Sequence, residues 1–267
     1  LSIVTFKTYG GLGDVIYALP GIRQACSNIG RKASLYIPLD VPSMLYEGAV
    51  HPTKDASGNT VTVNRKMFDM IQPLLKQQDY IEDVEIFQGQ KIHVDLTRLY
   101  TEDVNMPWRN IAKWPVMLYP DMASDLSKQW LYVSAPTPEI LKVTGRFIVN
   151  QTERYNNPLV DYFFLKDFEQ QGFFVGTEEE HSKFNKKWVL DIEYLPVRDF
   201  LQLAQYISSC KFFMGGQSFT FSLAEALKIP RILQICRSAA NVQPVGGECY
   251  EYLYQDPLEY YFQKLIQ

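Results

Sequence analysis

Three stretches of this chain combine glycine-rich turns with side chains that can hold or move a proton or grip an anion. The first is Tyr9-Gly10-Gly11-Leu12-Gly13-Asp14, between a strand-like run and a helical pattern. Glycines such as Gly11 and Gly13 let the chain turn sharply and let a ligand approach the amides, and the helix start behind them offers unpaired N–H groups and a positive dipole end. Asp14 has two readings. It can be the N-cap of that helix, or a carboxylate at the carboxyl end of a parallel sheet, where open α/β folds bind their ligands. The second stretch is Met214-Gly215-Gly216-Gln217-Ser218, with Phe219 opening another helical pattern. Ser218 suits an N-cap, and Gly215 and Gly216 leave the first-turn amides uncovered, either to receive a diphosphate or simply to form a tight strand-to-helix turn. The third is Asn150 to Pro158, leaving a strand, in which Arg154 has the fork geometry to hold two phosphate oxygens or else sits on a solvated loop. Gly176 closes a further strand, and the acidic run Glu178 to Glu180 behind it suits a helix start. Glu225, two turns into its helix, reads as solvated or packed rather than as a ligand contact.

The elements that must position these residues alternate between strand and helix periods. Strands are expected at 3–6, 33–38, 84–87 and 92–96, with helices at 14–28 and 65–78, the first kinked by Pro20. Ser134 to Pro138 reads as a linker, after which the alternation restarts. The second half carries expected strands at 147–150, 173–176, 211–214 and 231–235, with helices at 159–170, 198–209 and 218–228. Leu258, Tyr261, Phe262 and Leu265 give the tail from Pro257 the spacing of an amphipathic helix. The fold class is therefore α/β with parallel sheets, divided into residues 1–136, 137–256 and a terminal helix, 257–267.

A chain of 267 residues accommodates two such units, and 46% hydrophobic residues supply a core for each. The net charge of −4 is too mild for a nucleic-acid groove or an anionic membrane surface to be the main partner, so any bound anion needs a local site. Cys26, Cys210, Cys236 and Cys249 form no C-x-x-C pair and read as reduced thiols of a cytoplasmic protein. His51, His93 and His181 lack ligand spacing, so no zinc site is expected, although carboxylate-only metal sites stay open. No apolar run of about 18 residues is present, which leaves at most peripheral membrane contact, and the start at Leu1 is compatible with upstream trimming.

Gly11-Leu12-Gly13-Asp14-Val15-Ile16 with Leu19-Pro20, and Gly216-Gln217-Ser218 with Ala224-Glu225-Ala226-Leu227-Lys228-Ile229-Pro230, resemble the ADP-heptose:lipopolysaccharide heptosyltransferases. That resemblance implies the GT-B architecture, two Rossmann-like domains facing across a cleft, with the terminal helix crossing back to the first. It implies an inverting, metal-independent glycosyltransferase without a cofactor, moving a sugar from a nucleotide-diphosphate sugar to a glycan or glycolipid hydroxyl. Asp14 would be the base, and Gly11, Gly13, Asn150, Arg154, Gly176, Gly215, Gly216, Gln217, Ser218 and Phe219 would contact the donor. The chain departs from the family pattern at Gln217-Ser218-Phe219 and Ser222, where Asp-Thr/Ser-Gly and a helix His are usual, and it is shorter than family members. A nucleotide-sugar epimerase or hydrolase of the same fold, or a non-catalytic nucleotide or carbohydrate binder, is the alternative.

Overall fold

The computed structural model describes residues 3–43, 53–102 and 110–267. Residues His51 and Trp108 fall outside these. The amino-terminal half runs β1 (Val4–Lys7), α1 (Leu12–Ile29), β2 (Ala33–Ile37), α2 (Arg65–Lys76), β3 (Ile81–Ile86), β4 (Val94–Asp95) and α3 (Trp114–Leu118). Its strands form a parallel sheet in the order β3-β2-β1-β4. A 3₁₀ turn, Leu96–Tyr100, leaves β4 directly.

The carboxyl-terminal half runs β5 (Phe147–Asn150), β6 (Gly172–Phe174), α4 (Glu178–Trp188), β7 (Glu193–Tyr194), α5 (Phe200–Ser209), β8 (Phe212–Gly215), α6 (Phe219–Leu227), β9 (Arg231–Gln234), β10 (Cys249–Tyr252) and α7 (Gln255–Ile266). These strands make a second parallel sheet, ordered β10-β9-β8-β5-β6-β7. Because side chains alternate across a strand, the sheet supplies two cores. Ile148, Phe173, Phe213 and Leu233 face the apolar cluster that also holds α1 and the first sheet. Phe147, Val149, Phe174, Met214 and Ile232 face a smaller cluster under α4 and α7. Apolar contact is thus continuous from one sheet to the other.

The seam of this arrangement is α1 against α6. The two helix starts meet at Gly13, where a Cβ would stand in ordinary contact, 3.8 Å from the Phe219 Cα. Trp130 locks the same pair: its backbone N–H donates to the Ala226 carbonyl (3.1 Å) and its indole Nε1–H to the Ile16 carbonyl (3.1 Å). Behind α6 lies a buried ionic knot. Glu225 accepts from Arg231 Nε (2.5 Å), Lys228 Nζ (2.6 Å) and the Val245 amide (3.1 Å). The remaining Arg231 donors reach the carbonyls of Ile229, Val245 and Gly246.

Several expectations need correction. Pro20 lies inside a single helix, α1, that runs unbroken to Ile29. The stretch expected as a helix over 159–170 is a 3₁₀ run, Phe163–Gln171, set off by a turn in which Asn157 Oδ1 accepts from the Leu159 amide. The terminal helix does not cross back. Phe262 packs edge-on against Phe147 and Phe212, Leu265 shares their cluster, and Tyr261 stacks on Tyr250 at 4.5 Å. The aromatic face of the second sheet offers α7 a complete burial site next to its own sequence neighbour, β10. Glu225 is packed, as one of its two readings had it.

Candidate functional site at the convergence of two helix starts

Asp14 is the centre of the site. It is not the N-cap; Gly11 is, in an extended conformation, and Asp14 occupies the third helical position and reaches back so that Oδ2 accepts from the Gly11 amide at 2.6 Å. Gly10 carries a φ of +63°, and a Cβ there would collide with the Asp14 carboxylate. A side chain at position 10 is therefore excluded twice, by backbone conformation and by space. Burial raises the Asp14 pKa to about 6, against the opposing pull of the Gly11 amide and the Arg154 guanidinium. A carboxylate poised there can accept a proton near neutral pH.

Around Asp14 stand groups that the motifs did not reveal. Tyr9 and Tyr100 meet edge-to-face at 5.6 Å, and the Tyr100 Oη lies 2.8 Å from where a Gly10 Cβ would be. Burial and the field of Asp14 raise the pKa of Tyr9, Tyr100 and Tyr155, so all three are proton-bearing hydroxyls. Tyr9 adjoins the glycine turn and was within reach of sequence reasoning. Tyr100 arrives from the 3₁₀ turn after β4, 86 positions from Asp14, and only the fold brings it in.

The second half faces Asp14 with Arg154, whose guanidinium lies 4.5 Å over the Tyr155 ring and acts on Asp14 electrostatically. A polar lattice fixes this loop. Gln234 Nε2 donates to the Tyr155 carbonyl (3.0 Å), and Tyr162 Oη is within 2.8 Å of Gln234 Oε1 and 3.0 Å of Gln151 Oε1. Asn150 does not point an open side chain into the site. Its Oδ1 accepts from the hydroxyls of Ser218 (2.9 Å) and Thr220 (2.6 Å), and its Nδ2 donates to the Val175 carbonyl (2.7 Å), tying the end of β5 to the start of α6. Ser218 caps α6 by accepting from the Phe221 amide at 3.3 Å.

Gln217 also spends its side chain on structure. Nε2 donates to the Ala239 carbonyl (2.6 Å) and to Asn241 Oδ1 (3.0 Å), while Oε1 accepts from the Cys236 amide (2.7 Å). The loop it holds reaches the other half, where the Ile111 amide donates to the Asn241 carbonyl at 2.9 Å. Gly215 is required because a Cβ would sit 2.8 Å from the Asn150 carbonyl oxygen. A Gly216 Cβ would have only ordinary contacts, so that position stays open beside the Tyr155 carbonyl. Phe219 rests on Phe200 at 4.5 Å and belongs to the shared core. Gly176 lies at the turn into α4, near the Asn150 amide and Glu180.

The histidines within the described residues have structural partners, His181 at the Ile192 carbonyl and His93 at Thr5. Among the described residues no group of three or more His, Cys, Asp and Glu is placed to hold a metal ion. No described helix is long and apolar enough to cross a membrane. All four cysteines are free thiols.

Two parallel sheets, each ending its strands toward a shared pair of helix starts, define the GT-B class of fold seen in glycosyltransferases. Solved structures similar to this chain include glycosyltransferases. A glycosyl transferase of family 9 from Veillonella parvula superposes with a TM-score of 0.63 at 10% identity, over 98% of this chain and 88% of that one. ADP-heptose LPS heptosyltransferase II from E. coli gives 0.61 at 10% identity, covering 100% and 98%. An E. coli heptosyltransferase determined with ADP-2-deoxy-2-fluoro heptose gives 0.53 at 12% identity, covering 98% and 99%. No family model matches the sequence, and no curated protein matches it significantly. The resemblance seen in the two glycine motifs thus extends to the whole fold.

Proposed function

We propose that this protein is an inverting, metal-independent glycosyltransferase that takes a sugar from a nucleotide-diphosphate sugar to a hydroxyl of a glycan or glycolipid. The observation that carries the reading is the Asp14 carboxylate, with its pKa raised to about 6, held where the starts of α1 and α6 converge and acted on by Arg154. In this reading residues 1–136 form the acceptor side and 137–256 the donor side. The acceptor oxygen attacks the anomeric carbon while Asp14 takes its proton. The anomeric C–O bond to the diphosphate breaks on the opposite face with its electron pair, so configuration inverts.

The leaving diphosphate is held by the Arg154 guanidinium and by the amides from Gly215 to Phe219, where the α6 dipole favours negative charge. Gln217 takes part through its backbone, since its side chain is committed to the 236–241 loop. Asn150 acts by setting the direction of the α6 start, and Gly11, Gly13 and Gly176 by letting backbone approach the donor. We place the protein in a reducing, cytoplasmic setting on the scattered spacing of its four cysteines. The donor's base and sugar are found by thermal shift with ADP-, GDP-, UDP- and CMP-sugars, a bound donor at 100 times its Kd adding about 2.7 kcal/mol.

With donor and acceptor in hand, Asp14→Asn should lower turnover about 10²- to 10⁴-fold while donor affinity holds. Full activity in that variant would remove Asp14 from the chemistry. Turnover should also survive EDTA. Loss of activity restored by added magnesium, manganese or iron would overturn the metal-independent route; a neighbouring fold, TibC from enterotoxigenic E. coli, is an iron-containing glycosyltransferase.

A further inference from the structure

Tyr9 poses a question that the proposed chemistry leaves unanswered. Only 2% of the residue is exposed, and its hydroxyl has no hydrogen-bond partner among the described residues. Buried hydroxyls are almost always paired, because an unpaired one forfeits its hydration without return. The Tyr9 ring is met edge-on by Tyr100, itself 42% exposed, and the Tyr100 Oη lies beside Gly10 and the Asp14 carboxylate. The unpaired hydroxyl therefore belongs to the group of side chains around Asp14, and the ring that meets it, Tyr100, is partly open to solvent.

We propose that the Tyr9 hydroxyl is a ligand-binding group, completed when a pyranose displaces the Tyr100 ring and accepts the Tyr9 hydrogen bond on an oxygen neighbouring the one that faces Asp14. A carboxylate acceptor and a hydroxyl donor within one group of side chains suit the several hydroxyls of a polyhydroxylated ring. The aromatic faces of Tyr9 and Tyr100 suit the apolar face of such a ring. This assignment rests on the transferase reading for its substrate class, and on the unpaired hydroxyl for its residue.

Tyr17 provides the control. Its hydroxyl is also buried and unpaired, but it lies further along α1, where the Glu225–Arg231 pair acts on it more strongly than Asp14 does. Binding of methyl α-pyranosides with gluco, galacto and manno configuration is measured by ligand-observed NMR on the wild type, Tyr9→Phe and Tyr17→Phe, with melting temperatures recorded without ligand. Tyr9→Phe is expected to weaken binding about 3- to 10-fold and to melt no lower than wild type, because no internal bond is lost. Tyr17→Phe is expected to bind within twofold of wild type.

Equal binding by Tyr9→Phe, a fall of several degrees in its melting temperature, or no pyranoside binding by the wild type would each overturn the assignment. If no nucleotide sugar is turned over yet Tyr9→Phe loses pyranoside affinity, the transferase reading fails and the assignment stands. If turnover is found and Tyr9→Phe binds glycosides like wild type, the reverse holds.

Discussion

Asp14 carries a cost to the fold that its neighbours only partly offset. Its pKa is raised from 3.8 to about 6 by burial, so the unfolded chain gives up the proton more readily than the folded one. The contribution of Asp14 to stability is therefore undiminished below about pH 4 and falls as pH rises through 6, by at most about 3 kcal/mol. Asp14→Asn keeps an acceptor for the Gly11 amide and removes the charge. Its melting temperature should match wild type at pH 4 and exceed it by several degrees at pH 7.5, a gap that opens between those limits in a thermal melt series. A constant gap across pH would mean that the carboxylate is not held in a low-dielectric setting. The glycine turn around Asp14 was legible because its residues are contiguous. Arg154 was placed in one site with Asp14 through the family resemblance, and it does act on that carboxylate. Tyr100 was not legible as a neighbour, since no local signal encodes a contact between a turn after β4 and the glycine turn after β1. Gln217 and Asn150 were set against the donor by the family resemblance, which carries position but not the direction of a side chain. Their hydrogen bonds show them to be fasteners.

At the scale of elements, α6 is defined at both ends by side chains rather than by propensity. Ser218 and Asn150 fix its start, and Glu225 fixes its far end by joining Arg231 of β9 to Lys228. Glu225 and Arg231 are 1% and 0% exposed, and breaking one member of such a pair leaves the other charged and buried. Glu225→Gln should therefore destabilise the protein by about 3 to 5 kcal/mol, read as a lowered urea midpoint with an unchanged slope. A midpoint within experimental error of wild type would show that the knot contributes little. The strand and helix pattern was recoverable for β5, β8, α5, α6 and β9, where apolar runs are long or caps are clear. The strand expected at 92–96 is there but shorter, as β4, while the two-residue strand β7 and the 3₁₀ runs carry too few residues for a period to register. The path of α7 was misjudged because an amphipathic face specifies burial and not the surface that provides it.

Across the whole molecule the two sheets share one apolar cluster, running from Phe6 and Leu35 through Ile16 and Leu223 to Phe213 and Leu233. A core without a polar break predicts cooperative loss of both halves. Differential scanning calorimetry should give a single transition whose calorimetric and van't Hoff enthalpies agree, displaced as a unit by a bound donor. Two resolved transitions, with the donor moving only one, would show that the halves melt separately. The restart of strand-helix alternation after Pro138 indicated two sheets in the sequence, while the continuity of the core between them depends on which faces of α1 and α6 meet, and that is a tertiary fact.

Trp130 gives this junction an optical voice. Its indole is 2% exposed, hydrogen-bonded to one helix start's own backbone, seated 6.5 Å from the Tyr17 ring and covered by the Lys228 ammonium at 4.2 Å. A cation over the ring and a carbonyl at Nε1 both bias the energy of its excited state, so its emission colour is tied to the spacing of α1 and α6. In a background where Trp108, Trp114 and Trp188 are replaced by Phe, the wavelength of that single emitter would track any sliding of the two helices in real time. The protein thus carries its own unlabelled chromophore at the seam between its halves.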